Sequence, residues 1–253
     1  MTDETMSWGV LPAGVLDHIL VVSPHFDDAA LGTAHLLGAH AGSTVVTVFG
    51  GRPARYPDPP TEWDTLGGFR GGDDVIALRR AEDAAAIDVL GARPVWLDFV
   101  DHQYLQTSER AAPDVVADAL ARVVVTEQPT AVFLPMGLAN PDHACAHEAG
   151  LLVADARPDL TWFCYQDAGY CHIPGLLAWR VSKLFRSDRW PTPMIVEVDV
   201  DRDRKRAAIE CYRSQRAPLE RDHALNERLA ANVAEQYWRL APPPPGWEGL
   251  RDA

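Results

Sequence analysis

The chain has 253 residues and a mass of 27.8 kDa, and 47% of its residues are hydrophobic and 23% charged. This composition is typical of a globular protein and excludes a disordered or fibrous one. The 36 Asp and Glu outnumber the 23 Lys and Arg, which gives a net charge of −13. A surface this acidic repels phosphate groups, so we expect neither nucleic acids nor anionic membranes as partners.

Neither a targeting segment nor a membrane span is expected from the sequence. The first Arg or Lys is Arg52, so the N-terminus lacks the positive start of a secretory signal. The apolar runs are far shorter than the roughly 20 residues of a membrane-spanning helix. The four cysteines form no Cys-x-x-Cys pair, and we expect them to be reduced thiols of a cytoplasmic protein.

Short apolar runs and Ala- or Leu-rich segments alternate through the first two-thirds of the chain. The apolar runs predict buried strands, and the segments between them predict helices. In chain order, we predict a strand at 18–23, a helix at 29–40, a strand at 44–49, a helix at 75–90, a strand at 95–97, a helix at 113–126, a strand at 131–134, a helix at 143–154 and a strand at 161–165.

The remaining segments are a long loop and the C-terminal part of the chain. Residues 52–72 are rich in Gly and Pro and too irregular for a core element, so we predict a loop near the active site. Towards the C-terminus we predict a late strand at 193–198, closing helices at 202–215 and 224–240, and a stiff extended tail at 242–245.

The alternation of strands and helices predicts an α/β fold, a Rossmann-like, mostly parallel sheet with helices on both faces. We expect a single domain over residues 1–253, with a core at about 18–216 and C-terminal helices and a Pro-rich tail at 217–253. Ligands of such sheets bind outside the carboxyl ends of the strands. The loops that follow the first, second and fourth predicted strands are therefore the expected site.

The loop after the first strand is dense in residues that bind metals, since His25, Asp27 and Asp28 lie within four positions. Imidazole and carboxylate groups suit a divalent metal such as zinc. Of two adjacent Asp residues on a turn, one can bind a metal while the other faces a water beside it. Asp27 or Asp28 could instead cap the following helix, and this motif alone leaves both interpretations open.

The loop after the fourth strand contains a second group of polar residues, Asn140, Asp142, His143 and His147. This loop meets the first one at the same edge of the sheet, so His143 can complete a metal site with His25 and an Asp. His143 and His147 are four residues apart and share one helical face. We nevertheless expect His147 to be a packing or supporting residue rather than a ligand.

These residues resemble the LmbE-like, or PIG-L, family of zinc-dependent N-deacetylases. The family pattern is His-Pro-Asp-Asp-Glu after the first strand and His-Pro-Asp-His later. Here the two motifs read His25-Phe-Asp-Asp-Ala29 and Asn140-Pro-Asp-His143. Further matches are Arg79-Arg-Ala-Glu82, Leu90-Gly-Ala92, Leu97-Asp-Phe-Val-Asp101 and Tyr212-Arg-Ser-Gln215. The resemblance covers roughly residues 19–215, which is most of the chain.

The resemblance implies that His25, Asp28 and His143 bind one Zn²⁺ and that Asp27 is the general base. Three protein ligands leave zinc a position for water, whose pKa zinc lowers to roughly 7. Asp27 would take the proton of that water as it attacks an amide carbonyl. Asp142 would lie behind the site and orient a catalytic imidazole. The same ligands also suit Fe²⁺ in a reducing cytosol.

The sequence departs from the family pattern at Phe26, Ala29 and Asn140, where the family has Pro, Glu and His. The first two positions need not touch the metal. The missing His is the family's expected general acid or oxyanion partner, and Asn can donate a hydrogen bond but cannot transfer a proton. We therefore expect the leaving amine to take its proton from Asp27 or from another His. His172 is one candidate, and a surface-loop position is an equal alternative for it.

Four residues are candidates for substrate binding, namely Arg79, Asp101, Tyr170 and Trp63. Asp101 and His102 lie on a loop at the ligand-binding edge of the sheet, and we expect Asp101 rather than His102 to bind a sugar hydroxyl. We expect Tyr170 to contact the substrate or stabilise an oxyanion. Trp63 suits the face of a sugar ring, or it anchors the long loop. Arg79 suits a hydroxyl or carboxylate of the substrate, or it forms a solvated salt bridge on its helix.

The leading prediction is a zinc-dependent hydrolase that removes an N-acetyl or other N-acyl group from an amino sugar or a sugar-bearing small molecule. A zinc amidase for non-sugar amides stays open because of Asn140. A non-catalytic metal- or ligand-binding relative also stays open, although the presence of Asp27 argues against it. The first loop has no Gly-x-Gly-x-x-Gly, which argues against a dinucleotide-binding enzyme.

The sequence leaves the oligomeric state open. Three aromatic residues near the C-terminus suit either a contact in a homo-oligomer or core packing, and we expect core packing. They are Tyr237, Trp238 and Trp247.

Overall fold

Seven strands of the described residues form one mixed sheet. The computed structural model describes residues 11–194, 200–231 and 234–241. The strands are β1 (Ile19–Ser23), β2 (Thr44–Thr47), β3 (Arg93–Trp96), β4 (Ala131–Pro135), β5 (Thr161–Tyr165), β6 (Trp190–Met194) and β7 (Tyr237–Ala241).

Helices follow most strands and cover the sheet. They are α1 (Asp28–Ala39), α2 (Glu62–Leu66), α3 (Val75–Val89), α4 (Pro113–Glu127), α5 (Pro141–Ala156), α6 (Leu176–Arg186), α7 (Arg202–Cys211), α8 (Arg213–His223) and α9 (Leu225–Ala231). Two short 3₁₀ helices span His102–Tyr104 and Thr107–Glu109. Among the described residues, no helix combines the length and the apolar character needed to cross a membrane.

The strand order is β3-β2-β1-β4-β5-β7-β6. The first five strands in this order pair in parallel, whereas β7 pairs antiparallel with both β5 and β6. The prediction of a Rossmann-like, mostly parallel α/β sheet is therefore confirmed.

Strand β1 is buried on both faces, which explains its continuous apolar sequence. Successive side chains of a strand point to opposite faces. Ile19 and Val21 pack with residues of α1, α3 and α7, whereas Leu20 and Val22 pack with residues of α4, α5 and α6. Each of the four is at most 1% exposed. The central strand is thus fixed between two layers of helices, as expected of helices on both faces.

The centre of the sheet contains a topological switch point. The chain moves from β1 outward to β2 and β3 on one side, and then crosses to β4 on the other side of β1. A crevice opens at such a point outside the carboxyl ends of the strands, and α/β proteins bind their ligands there. The loops after β1 and β4 therefore meet at the place where a site is expected.

The predicted helix at 224–240 is confirmed only in its first part and is wrong at its C-terminal end. Helix α9 ends at Ala231, and Tyr237–Ala241 forms strand β7, which lies between β5 and β6. The side chains of β7 alternate between the two faces of the sheet. Tyr237 packs against Phe133 on one face of the sheet, with ring centroids 5.6 Å apart, whereas Trp238 packs with the cluster on the other face. Tyr237 and Trp238 thus pack in the core, as expected.

The other differences from prediction also lie mainly in the second half of the chain. The predicted helix at 202–215 is two helices, because the chain turns at Tyr212, whose buried hydroxyl donates a hydrogen bond to Asp83 at 2.9 Å. Strand β6 begins at Trp190, earlier than predicted, and residues 195–198 of the predicted strand lie outside the described residues. The predicted tail at 242–245 and Trp247 also lie outside them. Helices α2 and α6 were not predicted.

Candidate active site

The loop after β1 holds His25 and Asp28 on one tight turn. The Ser23 hydroxyl donates to the carbonyl of His25 at 2.5 Å and accepts from the backbone N–H of Ala29 at 3.0 Å. The carboxylate of Asp28 accepts from the backbone N–H of His25 at 2.9 Å, and the same Oδ2 lies 3.4 Å from His25 Nδ1. Asp27 makes no capping hydrogen bond to α1. The alternative interpretation, in which the Asp27 side chain caps the following helix, therefore has no support.

The loop after β4 brings His143 to this turn. Asn140 caps α5, because its Oδ1 accepts from the backbone N–H of Asp142 at 2.8 Å. His143 follows in the first turn of the helix, and its Nε2 lies 3.2 Å from Asp28 Oδ2. One ligand atom each of His25, Asp28 and His143 lies within 4.8 Å of the others. The two loops thus bring together the three residues expected to bind metal.

The spacing of these three residues fits a tetrahedral metal site. Ligand atoms around a zinc ion with bonds of 2.0–2.1 Å lie about 3.3 Å apart, and the two contacts of Asp28 Oδ2 with the imidazoles measure 3.4 and 3.2 Å. Two imidazole nitrogens and one carboxylate oxygen suit zinc and leave room for a further ligand. The donor set and its spacing therefore fit a divalent cation.

Asp167 fixes which nitrogen of His143 is free. This buried residue follows β5, and its Oδ1 lies 2.5 Å from His143 Nδ1. A carboxylate on one imidazole nitrogen sets the tautomer and leaves the other nitrogen to bind a metal. The carboxylate also contributes to a pKa of about 9 for His143, where burial opposes protonation and Asp28 and Asp167 favour it. Sequence reasoning missed Asp167, although it directly follows a predicted strand end.

The excess of carboxylates around the site also favours a cation. Five Asp side chains lie around His25, His143 and His102, and they are Asp27, Asp28, Asp101, Asp142 and Asp167. Buried groups of like charge repel each other strongly. A divalent cation between the imidazoles would offset part of that repulsion.

Asp27 lies beside the three ligand residues and is only 6% exposed. Burial, followed by the negative charge of Asp28, raises its pKa to about 6. Within the described residues, its carboxylate has no hydrogen-bond donor from another side chain. A buried carboxylate with a raised pKa and no side-chain donor is suited to accepting a proton.

A second group of residues lies on the other side of His25. Asp142 Oδ2 accepts from three nitrogens, His25 Nε2, His102 Nδ1 and the backbone N–H of His102, each at 3.0 Å. Burial alone would raise the pKa of Asp142, but the hydrogen bonds from His102 and His25 hold it below its usual value. Asp101 lies 3.9 Å from His25 Nε2 and 3.3 Å from His102 Nδ1. Asp142 therefore joins the loop that carries His25 to the loop after β3.

The loop after β3 is held in place by a close backbone contact. The N–H of Gly51 donates to the carbonyl of Phe99 at 2.8 Å. A Cβ atom at Gly51 would lie 2.2 Å from the carbonyl oxygen of Asp98, so only glycine fits here. This contact positions Asp101 and His102. From the sequence, both residues are expected at this edge of the sheet, with Asp101 preferred as the substrate-binding residue and no contact of His102 with Asp142 foreseen.

Tyr170 also lies at the site. Its ring meets the ring of His143 edge-on, with centroids 5.1 Å apart. The side-chain amide of Asn140 donates a long hydrogen bond of 3.4 Å to its hydroxyl. The phenol is thus held next to the imidazole of His143.

Three other expected site residues have partners outside the cluster. Arg79 forms an ion pair with Asp64 at 2.8 Å, and both side chains are at most 3% exposed, which leaves no accessible guanidinium for a substrate. Trp63 donates to Gln215 at 2.7 Å and packs against the small apolar cluster around α8, as expected of a loop anchor. His172 contacts Arg228 on α9. We do not include these three residues in the proposed function.

His147 has the packing role that we expected. Its Nδ1 donates to the carbonyl of Pro135 at 2.7 Å, and the side chain is fully buried. A Cβ atom at Gly137 would lie 2.6 Å from His147 Cβ, so the helix and the β4 loop are in close contact here. His147 thus supports the loop that carries His143.

Replacing Asp167 with Asn is expected to weaken zinc binding by about 10- to 100-fold, because the variant loses the charge that orients and polarises His143. Competition with a chromogenic chelator measures the affinity. Asp159→Asn, an exposed Asp paired with Arg157, is the matched control and should bind zinc like the wild type. Equal affinities of the two variants would remove Asp167 from this role.

Comparison with known proteins finds a matching family and related structures. A family model described as PIG-L, GlcNAc-PI de-N-acetylase, matches residues 20–154, and this match contains both loops. Two solved deacetylases share the fold. One is a triple mutant of a deacetylase of the teicoplanin biosynthetic pathway (24% identity, TM-score 0.71, 90% of this chain and 100% of that one). The other is the A40926 pseudoaglycone deacetylase (25% identity, TM-score 0.71, 89% and 98%).

The same fold also occurs in an enzyme of a different class. A 4-carboxy-2-hydroxymuconate hydratase from Pseudomonas putida is 20% identical, with a TM-score of 0.51 over 90% of this chain and 97% of that one. The fold by itself therefore does not decide the reaction. The family match spans more than half of the chain and includes the residues that form the cluster, and the chain belongs to the PIG-L, or LmbE-like, family.

Proposed function

We propose that the protein is a metal-dependent hydrolase that removes an N-acetyl or other N-acyl group from an amino sugar or a sugar-bearing small molecule. The observation that carries this proposal is the cluster of His25, Asp28 and His143 with the buried Asp27 beside it. A site that only binds a metal has no need of a second carboxylate that is not one of its ligands. Zn²⁺ is the proposed metal, and Fe²⁺ suits the same donors.

The metal held by these residues would supply the positive charge that polarises an amide carbonyl and makes a neighbouring water more acidic. Asp27 accepts a proton from the water as its oxygen attacks the carbonyl carbon. Tyr170 is placed beside His143 to donate a hydrogen bond to the oxygen that becomes negative. The C–N bond then breaks, and the leaving nitrogen takes up a proton. The products are a carboxylate and a free amine.

The sugar-bearing substrate class is supported by the relatives rather than by the pocket. The family description names an N-acetylglucosamine derivative, and the two deacetylases above belong to the teicoplanin pathway or act on the A40926 pseudoaglycone. The non-sugar amidase loses its particular support, because Asn140 has a role as the cap of α5. Non-sugar amides therefore enter the test as competing substrates.

The test is release of free amine from a panel of N-acetyl amino sugars, N-acylated glycosides and simple N-acyl amides by the zinc-loaded protein. We expect release from at least one sugar-bearing member and none with His143→Ala. Release from simple amides alone would move the proposal to a non-sugar amidase. No release from any member, with one zinc bound per chain, would contradict the proposed hydrolase.

A further inference from the structure

The proposed reaction lacks a proton donor at one step. The nitrogen of an amide is a poor leaving group and must be protonated as the C–N bond breaks. Asn140 occupies the position where the resemblance expects a His, and an amide side chain cannot transfer a proton. Both ends of the Asn140 side chain have partners, since Oδ1 caps α5 and Nδ2 donates to Tyr170.

The imidazole of His102 contacts the carboxylate of Asp142. By the resemblance, this carboxylate would orient the His that Asn140 replaces. His102, in the loop after β3, donates from Nδ1 to Asp142 Oδ2 at 3.0 Å, and its backbone N–H donates to the same oxygen at 3.0 Å. These two contacts fix both the backbone and the ring of His102 against Asp142. Asp142 thus holds an imidazole, as expected, but this imidazole comes from another loop and its catalytic role is part of the proposal below.

His102 is also close to the metal-binding residues and open to solvent. One ring nitrogen of His102 lies within 4.8 Å of a ring nitrogen of His25, because both rings contact Asp142. Its side chain is 27% exposed, against 2% for His143. In the described part of the chain, its Nε2 has no hydrogen-bond partner. One nitrogen is thus anchored while the other is free to meet a substrate and to exchange protons with water.

We propose that His102 is the general acid of the reaction, and this inference rests on the function proposed above. The water oxygen forms a bond to the carbonyl carbon while Asp27 takes one proton. His102 then gives the proton of Nε2 to the leaving nitrogen, and the electron pair of the C–N bond moves to that nitrogen. The product acid loses a proton to form the carboxylate. Asp27 then releases its proton to solvent and His102 takes up a proton from solvent, which restores both groups.

The charge around His102 supports this role. Hydrogen bonds to Asp101 and Asp142 raise its pKa to about 9, so Nδ1 and Nε2 both carry protons at neutral pH. The neighbouring carboxylates favour the imidazolium, and a released proton is readily replaced from solvent.

A second metal site formed by His25, Asp101, His102 and Asp142 is the main alternative for this cluster, since their ligand atoms lie within 4.8 Å of one another. The contacts argue against it. Three N–H groups already share Asp142 Oδ2 at hydrogen-bond distance. His25 would also have to bridge two metals through both of its ring nitrogens. Hydrogen bonding explains the group without a second ion.

The test is His102→Asn, because the amide of Asn can keep the hydrogen bond to Asp142 but has no counterpart of Nε2. We compare amide cleavage with the metal-dependent cleavage of 4-nitrophenyl acetate, whose phenolate leaves without a proton. The variant should lose about 10²- to 10⁴-fold in kcat/KM on the amide and less than 10-fold on the ester. It should also lose the decline of amide cleavage at alkaline pH that deprotonation of the acid causes in the wild type.

The controls separate this inference from the proposed function. His40→Gln, at the far end of α1, should behave like the wild type on both substrates. Asp27→Asn should slow both reactions, because both need the attacking water. Equal losses of His102→Asn on amide and ester, with the alkaline decline retained, would overturn the general acid. A fall in bound zinc from two ions in the wild type to one in His102→Asn would also overturn it, because His102 would then be a ligand of a second metal. A wild type that cleaves no amide would instead contradict the proposed function.

Discussion

Replacing Asp27 with Asn is expected to lower kcat for amide cleavage by about 10²- to 10⁴-fold and to leave the bound zinc in place. The carboxylate is buried and has a pKa raised to about 6, so it can take up a proton from water. Asn has almost the same shape but cannot accept that proton. The residues proposed to bind zinc, His25, Asp28 and His143, are unchanged in this variant.

The measurement is steady-state kinetics on the best substrate of the panel, together with metal analysis of each protein. Asp88→Asn, an exposed position on α3, is the matched control and should keep the wild-type rate. Full activity of Asp27→Asn would show that another group accepts the proton. A variant that loses its zinc would instead place Asp27 among the metal ligands.

Replacing His143 with Ala is expected to abolish both tight zinc binding and amide cleavage. The variant keeps two of the three ligands, so the loss of affinity should exceed the 10- to 100-fold typical of an outer-shell partner such as Asp167. It also leaves the buried Asp167 carboxylate without its imidazole partner at 2.5 Å. An unpaired buried charge is costly, so we also expect lower thermal stability.

The matched control for His143→Ala lies one turn further along the same helix. His147→Asn can keep the hydrogen bond to the Pro135 carbonyl and should bind zinc like the wild type, although it loses packing at a buried position. Chelator competition gives both affinities, and thermal unfolding gives both stabilities. If His147→Asn lost zinc while His143→Ala kept it, the two residues would have to exchange roles.

The centre of the fold and the metal cluster could be predicted because the evidence for them is local. Each central strand is a short apolar run, buried on both faces, and its carboxyl end is followed at once by polar residues. His25, Asp27 and Asp28 are neighbours in the chain, and the parallel arrangement brings His143 to the same edge of the sheet. No long-range information was needed beyond the topology of an α/β sheet.

The parts that could not be predicted depend on contacts between distant segments. Asp167 and His102 have no motif of their own, and their roles arise only because the ends of β5 and β3 lie beside His143 and Asp142. The helix expected at 224–240 fails for the same reason. Its last residues pair with β5 and β6, and that pairing overrides a local preference for helix.

Arg79 illustrates a second limit, which is that sequence shows charge but not burial. Its side chain is buried with Asp64 and close to Tyr104, whose hydroxyl donates to Asp64 at 2.9 Å. The resemblance to a family motif pointed to Arg79 but not to its ion-pair partner Asp64. A buried ion pair of this kind holds α2 against α3, and thereby shapes the long loop at 52–72.

The most direct test of the account is a metal titration of the metal-free protein with activity as the readout. Zinc is added in known amounts, and acetate and amine are quantified from the same N-acetyl substrate. The account predicts that both products appear in equal amounts and that the rate rises linearly to a plateau at one zinc per chain. A metal-free protein that already cleaves the amide at the full rate would contradict it.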